Sequence, residues 1–177
     1  MTENKTAAIV LAAGLGTRMK SALPKVLHPL GGVPMIRHLM ETLDGLEMER
    51  IVVVVGENMP AVADAVAPCP TVVQAQQLGS GDAVLSARAA LDGFAGDVLV
   101  VYGDTPLITR KTLDRLIAAR RAPFGPAVAV LGFRPAEPGR YGRLILAPDG
   151  TLEAIVEAGD AGPDQLAVGF CNSGVIA

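Results

Sequence analysis

The chain has 177 residues, enough to bury a core of its own as one domain, and its 15 basic and 18 acidic residues give a formal net charge of -3. That balance leaves no basic footprint for nucleic acid, so a phosphate ligand has to be met by a few local cations. Hydrophobic residues are 50% of the chain and aromatics only 3%, so the core is made of Ala, Val, Leu and Ile, a composition that favours a sheet covered by helices on both faces.

Mean hydropathy is +0.41, yet no uncharged run approaches the ~20 apolar residues of a spanning helix. The run Thr6 to Ala13 leads into a turn with Arg18 and not into a small-residue cleavage site, so no signal peptide is read and a cytoplasmic protein is expected. Cys69 and Cys171 show neither a metal-binding spacing nor a CxxC pattern and read as ordinary thiols. His28 and His38 lack a second His or Cys at ligand spacing, which argues against zinc.

The first predicted element is a buried strand over Thr6–Leu11, rich in Ala, Ile and Val. It runs into Leu11-Ala12-Ala13-Gly14-Leu15-Gly16-Thr17-Arg18-Met19, with Pro24-Lys25 close behind. Gly14 and Gly16 let the backbone approach a ligand, peptide N–H groups can cradle phosphate, and Arg18 and Lys25 supply charge. The implied ligand is a polyphosphate. Two familiar glycine motifs fit badly: a Walker loop needs Gly-Lys-Ser/Thr where Gly16-Thr17-Arg18 stands, and a dinucleotide fingerprint needs a small residue at Met19 and a helix where Pro24 and Pro29 interrupt. Read alone, the stretch is as well explained by a glycine turn with solvated cations.

A helix is predicted over Pro34–Leu46, then a strand over Arg50–Val55 ending in Gly56, and a short helix over Met59–Val66. Thr71–Gln74 is the next strand, followed by Gln77, Gly79, Ser80 and Gly81. A glutamine amide carries donor and acceptor and can match the adjoining N3–H and carbonyl of a uracil ring. The plainer alternative is a polar loop in which Ser80 is the N-cap of a helix over Asp82–Leu91. Asp97–Tyr102 is the next strand, its Val-Leu-Val-Val run fully apolar, and it ends in Gly103-Asp104-Thr105-Pro106. Asp104 either starts a turn before Thr109 caps the next helix, Thr109–Arg121, or serves as a Mg²⁺ ligand beside a polyphosphate; the preceding strand and loops favour the second. A strand is predicted over Ala127–Phe133, and Arg140–Leu146 and Leu152–Glu157 bracket Pro148-Asp149-Gly150 as a hairpin. Glu157 then reads as a strand end before the small-residue loop Ala158–Gly162, and Val168–Ala177 resumes an apolar strand around Asn172-Ser173-Gly174. No cap, breaker or polar tail follows, so a truncated piece of a longer chain is expected.

The opening Leu11–Met19 stretch with Pro24-Lys25, then Gln74-Ala-Gln-Gln77-Leu-Gly79-Ser80-Gly81, Tyr102-Gly103-Asp104-Thr-Pro-Leu, Gly139-Arg-Tyr-Gly142-Arg, Ile155-Val-Glu157 and Asn172-Ser-Gly174, resembles in unbroken order the sugar-phosphate nucleotidyltransferases. Within them it is similar to the uridylyltransferase domain of the bacterial bifunctional N-acetylglucosamine-1-phosphate uridylyltransferases and glucosamine-1-phosphate acetyltransferases. The resemblance implies conversion of UTP and N-acetylglucosamine 1-phosphate to UDP-N-acetylglucosamine, a cell-wall precursor, and pyrophosphate, with Mg²⁺ as cofactor. It implies that Leu11, Ala12, Ala13 and Gly14 hold the nucleotide, that Arg18 and Lys25 are catalytic on the phosphates, and that Gln74, Gln77, Gly79 and Ser80 read uracil and ribose. Asp104 would ligate Mg²⁺; Tyr102, Gly142, Glu157 and Asn172 would face the sugar, and Gly103 would be a further substrate-binding residue. Leu15 and Gly159 depart from the lysine common at each place in relatives. In relatives a second Mg²⁺ ligand lies well beyond the Asn-Ser-Gly motif, and a β-helix acetyltransferase domain absent from this sequence assembles homotrimers.

The expected fold is a three-layer α/β sandwich on a mainly parallel, Rossmann-like sheet, with an irregular β extension from about Gly139. The competing functions are a guanylyl- or cytidylyltransferase of another pathway and a nucleotide-binding regulatory module without turnover.

Overall fold

In the computed structural model, which describes residues 5–14, 16, 19–123 and 125–177, strand β1 (Thr6–Leu11) is buried along its whole length. A strand with no exposed face needs a partner on each edge and a layer on each side. The edges are filled by parallel neighbours. β4 (Arg50–Gly56) pairs from Ala7↔Arg50 to Leu11↔Val54, and β6 (Asp97–Tyr102) pairs from Thr6↔Asp97 to Leu11↔Tyr102. β5 (Thr71–Gln74) lies outside β4, with Gly56 opposite Gln74.

Side-chain alternation along β1 separates the two outer layers. Ala8, Val10 and Ala12 share a core with Ile36, Leu39 and Leu43 of α1 (Met35–Asp44), Val62 and Val66 of α2 (Pro60–Val66) and Leu113 and Leu116 of α4 (Arg110–Arg120). Ile9, Leu11 and Ala13 face the other way, toward Ala83 of α3 (Ser80–Ser86) and Ala87. The expected three-layer sandwich is therefore present, its second cover thinner than its first.

The chain moves outward from β1 to β4 and β5, then returns to β6 on the other side of β1, giving the order β5-β4-β1-β6. Such a reversal opens a crevice beyond the carboxyl ends of the central strands. Past β6 the sheet changes character. β10 (Cys171–Ile176) runs antiparallel to β6, to β7 (Val130–Phe133) and to β8 (Arg143–Leu146), which forms the predicted hairpin with β9 (Leu152–Val156). The extension thus begins with β7, before Gly139, and the parallel block is confined to β5, β4, β1 and β6.

Several local expectations are corrected. Pro34 is the N-cap of α1 and not part of its first turn, because it belongs to the small hairpin of β2 (Pro29–Leu30) and β3 (Val33–Pro34), which the sequence reading did not contain. The helix expected over Asp82–Leu91 starts earlier and breaks: α3 spans Ser80–Ser86 and a 3₁₀ turn follows over Arg88–Leu91. Ser80 is its first residue and Gly79, at φ 113°, is the N-cap, with no side-chain capping bond. A further short helix, α5 (Pro163–Leu166), was not anticipated. Thr109 does cap α4, accepting from the Thr112 amide at 3.3 Å.

Candidate nucleotide site

The carboxyl ends of β1, β5 and β6 open onto a cavity of about 330 Å³, within the range of small-molecule pockets. Leu11, Ala12, Ala13, Gly14 and Gly16 line it from the opening loop. Gly16 has φ +61°, and a Cβ there would sit 2.7 Å from the Lys25 Cβ. Only glycine lets these two segments cross so closely. Lys25 heads a 3₁₀ turn, Lys25–Leu27, whose Val26 and Leu27 are buried, so its backbone is anchored while its side chain reaches the cavity.

Gln74, Gln77, Gly79, Ser80 and Ala83 form a second wall, and Tyr102 and Asp104 a third. Gln77 donates from Nε2 to the Ala13 carbonyl at 2.9 Å, tying the loop after β5 to the opening loop. Gly103 donates its amide to the Leu11 carbonyl at 2.9 Å and is buried where a Cβ would press on Val26, Ile36 and Ala12. It is not on the cavity wall but allows Asp104 to follow β6 into it. Lys25 Nζ forms a short ion pair with Asp104 Oδ2. The cavity thus brings together a cation, a carboxylate, an amide and a glycine-rich backbone, the groups a phosphorylated and hydrogen-bonding ligand requires. Arg18, Leu15 and Thr17 lie outside the described residues.

Gly142, Glu157 and Asn172 are not on this wall; they meet one another on the antiparallel extension. The Asn172 amide donates to the Gly142 carbonyl at 2.8 Å, and the Glu157 carboxylate lies 3.3–3.4 Å from where a Gly142 Cβ would be. Asn172 Oδ1 accepts from the Gly174 amide at 2.9 Å, leaving its amino group to offer. The cluster touches the cavity through Tyr102, whose ring would lie 2.5 Å from a Gly174 Cβ. Glu157 and Gly159 are exposed. Arg143, only 3% exposed, was missed by the sequence reading: it donates to the main-chain oxygens of Tyr141, Gly139 and Leu166, holding the loop that carries Gly142. Its sequence signals are a charge at the head of an apolar run and its place at the end of the Gly139-Arg-Tyr-Gly142-Arg motif.

A lone carboxylate suits Mg²⁺, which takes one or two carboxylates together with phosphate oxygens. Asp104 meets that requirement, and the described residues contain no group of three or more His, Cys, Asp or Glu that could hold a metal. Asp104 therefore fits a cation that arrives with a polyphosphate. Burial pushes the Cys69 thiol up, aided by nearby Asp44, in keeping with an unreactive cysteine.

A larger groove of about 480 Å³ lies toward the amino end of β6, lined by Leu85, Arg88, Val128 and Ile176 among others. It has no glycine loop, and its Asp97 and Arg120 are paired with each other at 3.7 Å. No helix among the described residues is long and apolar enough to cross a membrane.

The curated relatives include the bifunctional protein GlmU of Paramagnetospirillum magneticum, 62% identical over the whole chain, and that of Rhodospirillum rubrum, 62% identical over 98% of it. The chain spans 39% of the length of each. Among solved structures, a UDP-glucose pyrophosphorylase complexed with UDP-glucose superposes with a TM-score of 0.77 at 18% identity, covering 97% of this chain and 75% of that one. HddC from Yersinia pseudotuberculosis complexed with GMP-PN gives 0.71 at 25% identity, covering 96% and 75%. Residues 8–167 match the family description, and the chain belongs to the MobA-like NTP transferase domains.

Proposed function

We propose that this domain transfers the uridylyl group of UTP to N-acetylglucosamine 1-phosphate, releasing pyrophosphate. The observation that carries the reading is the convergence of the glycine loop, Lys25, Gln74 and Asp104, from three separate strand ends, on one cavity. The identity with GlmU proteins over the whole chain supports the choice of substrates.

In this reading an oxygen of the sugar phosphate attacks the α-phosphorus of UTP in line, the bond to the bridging oxygen of the β-phosphate breaks, and pyrophosphate leaves with that electron pair. No proton has to move in the bond exchange, so catalysis reduces to positioning and charge neutralisation. The backbone of Leu11 to Gly14 holds the nucleotide. Lys25 leaves Asp104 for the phosphates, joined by Arg18, and Asp104 becomes free to hold Mg²⁺. Bound there, Mg²⁺ supplies charge neutralisation on the polyphosphate. Gln74, Gln77, Gly79 and Ser80 meet uracil and ribose, and Tyr102, Gly142, Glu157 and Asn172 meet the sugar. The full-length protein is taken to be a cytoplasmic homotrimer, assembled through a domain outside this sequence, that makes a cell-wall precursor.

The test is pyrophosphate release by the native-length protein with each of UTP, CTP and GTP, crossed with N-acetylglucosamine 1-phosphate and other sugar 1-phosphates. Release confined to UTP and the amino sugar is expected. Preference for GTP or CTP moves the protein to another branch, and tight nucleotide binding without release makes it a regulatory module.

A further inference from the structure

Gln74 closes β5 and is only 4% exposed, and its amide is not free to turn. Nε2 donates to Asp82 Oδ2 at 2.8 Å and to the Gly79 carbonyl at 3.1 Å. A carboxylate and a carbonyl can only accept, so the amino group is held toward them and both its hydrogens are used. Oε1 is what remains, an acceptor on a side chain of the cavity wall. It is not sealed in protein: among the described residues, only His28 Nε2 is a buried side-chain polar atom without a partner. Asp82 belongs to no motif of the opening reading, and it sits in the first turn of α3, on the far side of Gln74 from the cavity's glycine loop in sequence.

We infer that Asp82 is a positioning residue for nucleobase choice. By holding the Gln74 amide with its oxygen left for the ligand, it tunes the pocket to a base that donates from N3, as uracil does, and against one whose N3 accepts, as cytosine's does. The reversed amide would present N–H to the base and suit cytosine, but it would set Oε1 against the Asp82 carboxylate and the Gly79 carbonyl. Two acceptors facing a third make that state unfavourable, and Asp82 brings the formal charge. The inference rests on the reading of this cavity as a UTP site.

The test is a double-mutant cycle on the native-length protein, with Kd for UTP and CTP measured by calorimetry in Mg²⁺ for the parent, Asp82→Ala, Gln74→Ala and the double variant. The CTP-to-UTP ratio of Kd should fall about tenfold in Asp82→Ala and should not change when the same substitution is made in Gln74→Ala. Asp82→Asn fills the same space and can donate to Oε1; it should shift the ratio in the same direction and serves if the alanine variant does not fold. An unchanged ratio in the single variants, or an equal fall with Gln74 already absent, overturns the inference while leaving uridylyl transfer standing. A parent that favours CTP or fails to bind UTP overturns the functional reading and this inference with it.

Discussion

Strand β6 carries an acid at each end, and the two acids have opposite surroundings. Asp97, at the amino end, accepts from Arg121 Nε at 2.6 Å and lies 3.7 Å from Arg120 Nε, while Arg121 also donates to Thr6 Oγ1 at 2.7 Å. Those arginines close α4, so helix, β1 and β6 are tied at one point by donors that already have several partners. Asp104, beyond the carboxyl end, meets a lysine on the wall of a cavity. Lys is a flexible point charge that can exchange partners, whereas an arginine fork bound on several sides is slow to give up its set. The lower pair therefore holds the fold together, and under the proposed function the upper pair would separate as a phosphate and a cation compete for its members.

Perturbing the upper pair should change chemistry and spare stability. Lys25→Ala is expected to have the largest effect, on the order of 3 kcal/mol or more in the transition state, with an unchanged melting curve. Normal kcat in a folded variant would remove Lys25 from the mechanism. Asp104→Asn should abolish the response of activity to low Mg²⁺, while in EDTA it should bind UTP more tightly than the parent, by roughly fivefold, because Lys25 is released from its carboxylate. Titrations of UTP with and without metal measure both halves, and weaker metal-free binding would show that the pair does not compete with the ligand.

Perturbing the lower pair should do the reverse. Asp97→Ala removes the carboxylate that Arg120 and Arg121 share, and a loss of about 2 kcal/mol is expected in urea unfolding. UTP affinity should stay as it was. The smallest effect is expected for Thr109→Ala, about 1 kcal/mol from the lost cap of α4; a change in nucleotide affinity there would mean that α4 communicates with the cavity.

Most of the parallel block was legible because its signals are local. Thr71–Gln74 and Asp97–Tyr102 were bounded correctly from apolar, β-branched runs that stop at polar residues. α1 showed in the spacing of Ile36, Leu39, Met40 and Leu43, which are all buried. The errors fell where local preference was overridden. Ser80 is a good cap by type, yet Gly79 takes the position at φ 113° because the chain must turn sharply from the loop after β5. β7 joins the antiparallel extension because its partner is β10, some forty residues on, and no pattern inside Val130–Phe133 announces that pairing.

By itself the amino-acid sequence determined most of the strands and helices, the glycine loop and the set of polar groups placed after strand ends, since backbone periodicity and turn chemistry are properties of neighbouring residues. Only the tertiary structure decided what those groups do to one another. The order β5-β4-β1-β6 brings the ends after Leu11, Gln74 and Tyr102 to one cavity and sends Gly142, Glu157 and Asn172 to a cluster beside it. It also lets Lys25 meet Asp104 across 79 positions of chain. The start of α3 folds back on β5, so that Asp82 fixes which end of the Gln74 amide is left for a ligand. Contacts of that kind depend on which strands pair and in what register, a balance of burial over the whole core that no short stretch of sequence contains.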